Sequence, residues 1–343
     1  MSQPLFLSTE AFAGLVEDLL GDGTSVWAPV KRGERVEYGR IAAACDALLD
    51  GPLPAMPLKA VFLPPSEPLF TWRRDGQDVT LAPHVPDVSP AVVLGARPCD
   101  AAALDALDRV MGWDYRDDLW FARRDRTTIV TVACVAAGPD CFCDAVGLGP
   151  DDPTGSDVLL APLDGGFSVR EVTEKGRTLI ARHPARFETR QRGASGPAGP
   201  AQPPRRLDTQ AIGSWLASHF DDPMWTAMSF RCHGCGACAS VCPACHCFDI
   251  VDEPESVTAG TRRRHWDTCQ TAKFTLHASG HNPRGDQNGR FRQRVMHKFR
   301  VYPERFGRLL CTGCGRCAAA CPSGQNLLEI LHGLERAAQL AIV

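Results

Sequence analysis

Two cysteine runs constrain this chain more than any other feature: Cys232-x-x-Cys235-x-x-Cys238-x-x-x-Cys242-Pro243 and Cys311-x-x-Cys314-x-x-Cys317-x-x-x-Cys321-Pro322. Each follows the spacing C-x2-C-x2-C-x3-C-P. In that spacing three close thiolates hold three corners of a 4Fe-4S cube, and the fourth, before proline, reaches the neighbouring cube. Two copies predict two 4Fe-4S clusters with crossed ligation. Cys232, Cys235 and Cys238 are expected to bind one cluster with Cys321, and Cys311, Cys314 and Cys317 the other with Cys242. Disulfides and zinc are the competing readings. A disulfide framework belongs to short secreted chains, and the opening MSQPLFLSTE has neither the charged region nor the apolar segment of an export signal. Zinc ribbons pair two C-x2-C units, not two four-cysteine runs that each end in proline.

The chain of 343 residues is long enough for two domains with cores of their own, and 44% hydrophobic with 22% charged residues is ordinary for a globular protein. No apolar run approaches the ~18 residues that cross a bilayer, so no membrane span is expected. Sixteen cysteines without an export signal suit a reducing compartment, and a cytoplasmic location is expected. A formal net charge of -3 gives no reason to expect a nucleic-acid partner.

In the first half, Phe12, Leu15, Val16 and Leu19 repeat at helical spacing behind a Ser8 or Thr9 cap. Ser25 to Val30 and Arg35 to Tyr38 read as a hairpin. Ile41 to Leu49 reads as a helix carrying a buried Cys45. Ala91 to Gly95 is an unbroken apolar run before Arg97-Pro98-Cys99-Asp100 and a helical pattern, which is a βα unit of a buried parallel sheet. Thr128 to Ala133 is a second such strand, ending on Cys134. In open parallel sheets functional groups gather at the carboxyl ends of strands, so Cys99 and Cys134 are expected side by side there, close to Cys141 and Cys143. These four thiols are candidate ligands of a third 4Fe-4S cluster, with inert buried thiols as the alternative. Asp100 is expected to cap the helix.

Arg192 to Arg206 is rich in Gly, Ala and Pro without periodicity, and is expected to be a flexible linker. The expected fold class is thus α+β: an α/β domain over 1–190 with a partly parallel sheet, a linker over 191–206, and a helical dicluster ferredoxin-like domain over 207–343. Helical spacing at Ile212, Trp215, Leu216 and at Leu327 to Leu334 supports the last assignment. Cys245, Cys247 and Cys269 lack an obvious fourth thiolate, and shielding a neighbouring cluster is the preferred role for them.

About seventy residues separate the two runs, and within them residues 262–300 carry Arg and Lys well in excess of Asp and Glu. Cations beside clusters stabilise the reduced, more negative state, so Arg262, Arg284, Arg292 and Arg294 are candidate cofactor-contacting or docking residues, together with Arg263 and Arg264. An RNA-binding role lacks the aromatic stacking platform it needs.

Several motifs together resemble one family. They are Arg97-Pro98-Cys99-Asp100, Cys141-Phe142-Cys143, CHGCGACASVCPACHCF from Cys232, Trp266-Asp267-Thr268-Cys269, His281-Asn282-Pro283-Arg284, RQRVMHKF from Arg292, and CTGCGRCAAACP from Cys311. The chain is similar in these to the iron-sulfur β subunit of soluble sulfhydrogenases, which carry a nickel-iron hydrogenase, and equally to the iron-sulfur subunit of anaerobic sulfite reductase. The resemblance implies an electron-transfer subunit without bond chemistry of its own. It also implies two partners. One is an FAD- and NAD(P)-binding reductase subunit, and the other is a catalytic subunit, either hydrogenase or sirohaem sulfite reductase. The absence of a G-x-G-x-x-G fingerprint or P-loop agrees with nucleotide and flavin being held by a partner. Two alternatives stand beside it: a scaffold with purely structural clusters, and a self-contained iron-sulfur reductase of a sulfur compound built around Cys245, Cys247 and Cys269.

Overall fold

The computed structural model describes residues 5–86, 88–189 and 206–340. Among these the strands are β1 (Leu5–Ser8), β2 (Ser25–Arg32), β3 (Arg35–Arg40), β4 (Ser66–Asp75), β5 (Asp78–Pro83), β6 (Ala91–Ala96), β7 (Thr127–Val132), β8 (Val158–Leu163), β9 (Gly166–Glu171), β10 (Glu188–Thr189), β11 (Phe248–Pro254) and β12 (Ala259–Trp266). The chain divides into two compact units. One comprises Met1–Lys59, Val88–Leu207 and Cys311–Arg316, the other Ala60–Asp87, Asp208–Leu310 and Cys317–Val343. These units interleave along the chain. The linker expected over 191–206 lies, apart from residue 206, outside the described residues.

The first unit is built on an eight-stranded mixed sheet in the order β10-β1-β9-β8-β7-β6-β2-β3. Its centre is parallel, β2 with β6, β6 with β7 and β7 with β8, and its flanks are antiparallel. The parallel strands are apolar on both faces because both faces are covered: in β6 and β7 all but one residue each is buried. The helix Thr9–Gly21 lays Phe12, Leu15, Val16 and Leu19 onto this sheet, and its first turn is capped by Ser8, whose Oγ accepts from the Ala11 N–H at 3.0 Å. Gly95 at φ +80° sits where the β6–β7 register shifts, a bulge that re-aims the chain just before Cys99.

Two local expectations fail. Ile41 to Leu49 is no helix but a single 3-10 turn, Ala44–Asp46, and Cys45 is exposed. The Asp46 carboxylate accepts from the Ala42 and Ala43 N–H groups at 3.1 Å each, a local side-chain bond that competes with helix formation. Asp100 does not cap the helix Pro98–Met111. Arg97 occupies the cap position without a side-chain cap bond, Pro98 opens the first turn, and the Asp100 carboxylate is turned to other partners.

The second unit carries the helices Thr209–Ser218, Met224–Ser229, Gln287–Met296 and Leu327–Leu340. It also holds a four-stranded antiparallel sheet, β11-β12-β4-β5, alongside the expected helices. Cross-strand ion pairs lock this sheet. Arg262 donates to Asp252 from Nε at 2.8 Å, and buried Arg264 donates to buried Glu67 from Nε at 2.9 Å. No helix of the described residues is long and apolar enough to cross a membrane.

Candidate metal centres

In the second unit Cys232, Cys235, Cys238, Cys317 and Cys321 line one cavity, joined by Gln270 and Arg294. Four of these five are the group the crossed spacing predicts, and the fifth, Cys317, is the one that spacing assigns to the other cluster. The loop Cys232-His233-Gly234-Cys235-Gly236-Ala237-Cys238 can wrap around a bulky group because Gly234 and Gly236 take φ +70° and +79°, a region that side chains other than glycine's rarely adopt. Gln287 donates from Nε2 to Cys232 Sγ at 3.2 Å and to Gln270 Oε1 at 3.1 Å, and Arg290 Nε holds Gln287 Oε1 at 3.0 Å. Cys321 receives the Gln325 N–H at 3.3 Å and lies 3.4 Å from Ser323 Oγ. Burial alone would raise the Cys321 thiol, but hydrogen bonds from Ser323 and from the backbone N–H groups of the same turn outweigh it, and it lies below its ordinary range.

Arg294 is the one of the four candidate arginines that stands among the thiols. Burial opposes its charge, yet Cys238, Cys317, Cys245 and Cys242 together hold it well above its usual range. Its Nε and Nη2 are buried without a hydrogen-bond partner. Lys298, which sequence reasoning passed over inside the RQRVMHKF motif, is 2% exposed and donates from Nζ to Cys242 Sγ at 3.3 Å and to the Leu310 carbonyl at 2.9 Å. Two of the other three candidates are engaged elsewhere. Arg262 pairs with Asp252, as described. Arg292 donates to the Phe220 carbonyl and to Asp221 Oδ1, both at 2.9 Å, while stacking 3.7 Å over the Phe220 ring. Arg284 lies near His297, which burial, His246, Lys298 and Arg284 itself push down to about 3.

The second cysteine run is shared between the units. Cys311 and Cys314 belong to the first, Cys317 and Cys321 to the second with Cys242.

In the first unit the four thiols expected at the sheet's carboxyl edge do gather. Cys99 is the second residue of its helix, Cys134 follows β7, and Cys141 and Cys143 lie in the next loop. Burial raises Cys99, and Asp100, Cys314 and Cys134 raise it further. Cys134 is raised by burial and by Cys141. Cys143 is pushed up to about 12 by burial, Asp144, Cys141 and Cys134. Cys314 joins them because residues 311–316 lie flush on the 140–143 loop. The Phe142 N–H donates to the Gly313 carbonyl at 2.7 Å, and a Cβ at Gly313 would meet Cys143 backbone at 2.5 Å. Beside this set, Arg316 donates to both Asp100 oxygens at 2.9 and 2.7 Å and from Nε to the Pro54 carbonyl at 2.8 Å, and Tyr38 donates to Asp100 at 2.8 Å.

Both sets fit an iron-sulfur cluster by their chemistry. In the first unit, thiols that raise one another's proton affinity are poorly placed as free thiolates and well placed as ligands of a positively charged iron core. The unpartnered guanidinium nitrogens of Arg294 are donors facing a region where sulfur acceptors are the available chemistry. The thiols line a cavity; no group of three or more His, Cys, Asp or Glu among the described residues closes on a single metal ion.

Comparison with known proteins bears on the two cysteine runs. Residues 231–325 match the family described as "4Fe-4S dicluster domain". The chain is 27% identical over 321 residues to "Sulfhydrogenase 2 subunit beta" of Pyrococcus furiosus, covering 89% of this chain and 91% of the relative. No solved structure matches it. The chain is therefore a homologue of a sulfhydrogenase beta subunit, and it carries a 4Fe-4S dicluster domain over residues 231–325.

Proposed function

We propose that this chain is the electron-transfer iron-sulfur subunit of a cytoplasmic multisubunit oxidoreductase. It relays single electrons between two partners, an FAD- and NAD(P)-binding reductase subunit on one side and, on the other, a catalytic subunit of hydrogenase or sirohaem sulfite reductase type. The observation that carries this is the cavity in which five thiols of the two runs, Cys232, Cys235, Cys238, Cys317 and Cys321, meet around buried Arg294. Bound clusters supply reversible one-electron storage. The protein's part is to ligate, to exclude water and to set potential through buried cations. Cys232, Cys235, Cys238 and Cys321 hold one cluster. By the run spacing, Cys311, Cys314, Cys317 and Cys242 hold the second, with Lys298 on Cys242. Cys99, Cys134, Cys141 and Cys143 hold a third; their convergence at one sheet edge supports it.

A redox titration of the anaerobically purified chain, with and without its partner subunits, tests the relay. Clusters that reduce and reoxidise reversibly, with turnover appearing only when the partners are added, are expected. Clusters that cannot be reduced would make the chain a scaffold, and turnover by the isolated chain with a dye donor would make it a reductase.

A further inference from the structure

Cys247 and Cys269 belong to none of the three ligand groups, yet the second unit brings them to one place. β11 and β12 pair Phe248 with Trp266 at the open end of their hairpin, and the Asp267 N–H donates to the Cys247 carbonyl at 3.0 Å, carrying the ladder one step further. Cys269 follows two residues later, in a turn. There the two side chains are close enough for each thiol to act on the other. Both are partly buried. The turn is held from the far side: Gln270 Nε2 lies 3.5 Å from Cys269 Sγ and donates to the Arg290 carbonyl at 2.9 Å. Gln270 also lines the cavity of Cys232, Cys235, Cys238 and Cys321, so the pair adjoins that site.

The two thiols are chemically unequal. Cys247 lowers the Cys269 thiol against the effect of burial, with help from Gln270, Arg294 and Lys298, while Cys269 and burial raise Cys247. A thiolate steadied by a neighbouring thiol is the arrangement from which disulfides form and open readily. A single-ion site would need a third ligand of the His, Cys, Asp or Glu type closing on the same point, and none does so among the described residues.

We propose that Cys247 and Cys269 are a redox-active dithiol that closes to a disulfide and exchanges two electrons with the clusters of this chain. In the reducing direction the S–S bond breaks. Two reduced 4Fe-4S clusters each give up one electron, and two protons from solvent complete the two thiols. In the oxidising direction the thiols release two protons, the S–S bond forms, and two oxidised clusters each take one electron. The pair thereby couples a one-electron wire to a two-electron carrier. The electron exchange presupposes the clusters proposed above, whereas the disulfide does not.

The test uses the full chain purified anaerobically with its iron, equilibrated in glutathione buffers of graded ratio, alkylated and mapped by peptide mass. A Cys247–Cys269 cross-linked peptide is expected to appear as the buffer becomes oxidising, at constant iron content. Cys247→Ser and Cys269→Ser should each lose that peptide and keep wild-type iron and cluster EPR signals. Complete alkylation of both thiols across the series would overturn the dithiol, as would iron loss in either serine variant, which would make the residue a cluster ligand. A second arm adds limiting dithionite to the oxidised protein and counts thiols. A gain of two thiols for every two electrons is expected, and clusters that stay reduced beside a persisting disulfide would overturn the exchange. A chain isolated without iron would sink the electron-transfer reading alone, since the glutathione series still decides the disulfide.

Discussion

The Nζ of Lys298 stands 3.3 Å from the Sγ of Cys242, a buried ammonium against the buried thiol that closes the first cysteine run. A cation there would favour the more negative, reduced state of the cluster proposed to be held by Cys242. At a charge separation of about 6 Å and an effective dielectric of roughly 20, the interaction is about 2.8 kcal/mol, on the order of 100 mV for one electron. Lys298→Met is expected to lower one midpoint potential by on the order of 100 mV in an EPR-monitored titration. Unchanged potentials would remove Lys298 from the tuning of the cluster.

Arg294 faces thiols of both runs, Cys238 of the first group and Cys317 and Cys242 of the second. Arg294→Met should therefore shift two midpoint potentials downward, each by up to on the order of 100 mV. A shift confined to one signal would show that the guanidinium serves a single cluster. Arg262→Met, whose guanidinium is held by Asp252, is expected to leave all potentials in place.

Asp100 and Arg316 form a fully buried bidentate ion pair in the first unit. Removing one partner leaves an uncompensated buried charge, so Asp100→Asn or Arg316→Met should each cost about 3–5 kcal/mol in denaturant unfolding. The double variant is expected to cost far less than the sum of the two. Additive losses would mean that the pair is not coupled in the folded chain.

Asp18 predicts a pH dependence. Arg186 donates to both of its oxygens at 2.8 Å and, with His183, holds the carboxyl below its ordinary value of 3.8. The unfolded chain therefore binds a proton at Asp18 before the folded chain does. The stabilisation is complete above the ordinary value and is lost as pH falls through the depressed one. Asp18→Asn should flatten the acid limb of the stability curve below roughly pH 4 and leave its slope at neutral pH unchanged. An unaltered acid limb would contradict this.

The cysteine runs were legible because ligand spacing is local, and β6 and β7 because strands covered on both faces are continuously apolar. β4, β5, β11 and β12 were not, since SEPLFTWRRD, DVTLAP and FDIVDEP are half polar and largely exposed. What holds them is Arg264 against Glu67 and Arg262 against Asp252, and from sequence alone these arginines are only a basic stretch. Cys45 was misplaced because small apolar neighbours suggest a buried helix, while the Asp46 carboxylate captures the backbone instead. Lys298 and Arg316 were missed for a different reason. A cation's role depends on which thiol or carboxylate the fold sets beside it, and no spacing rule encodes that. Arg294 was found only as one of several arginines, and its burial sets it apart.

Iron and acid-labile sulfide analysis with EPR, on protein prepared without oxygen, tests the central claim most directly. About twelve irons and as many sulfides per chain, with signals that appear on one-electron reduction, are expected for the three clusters. About eight would withdraw the cluster at Cys99, Cys134, Cys141 and Cys143 and leave the other two. Zinc without iron would contradict the electron-transfer function altogether.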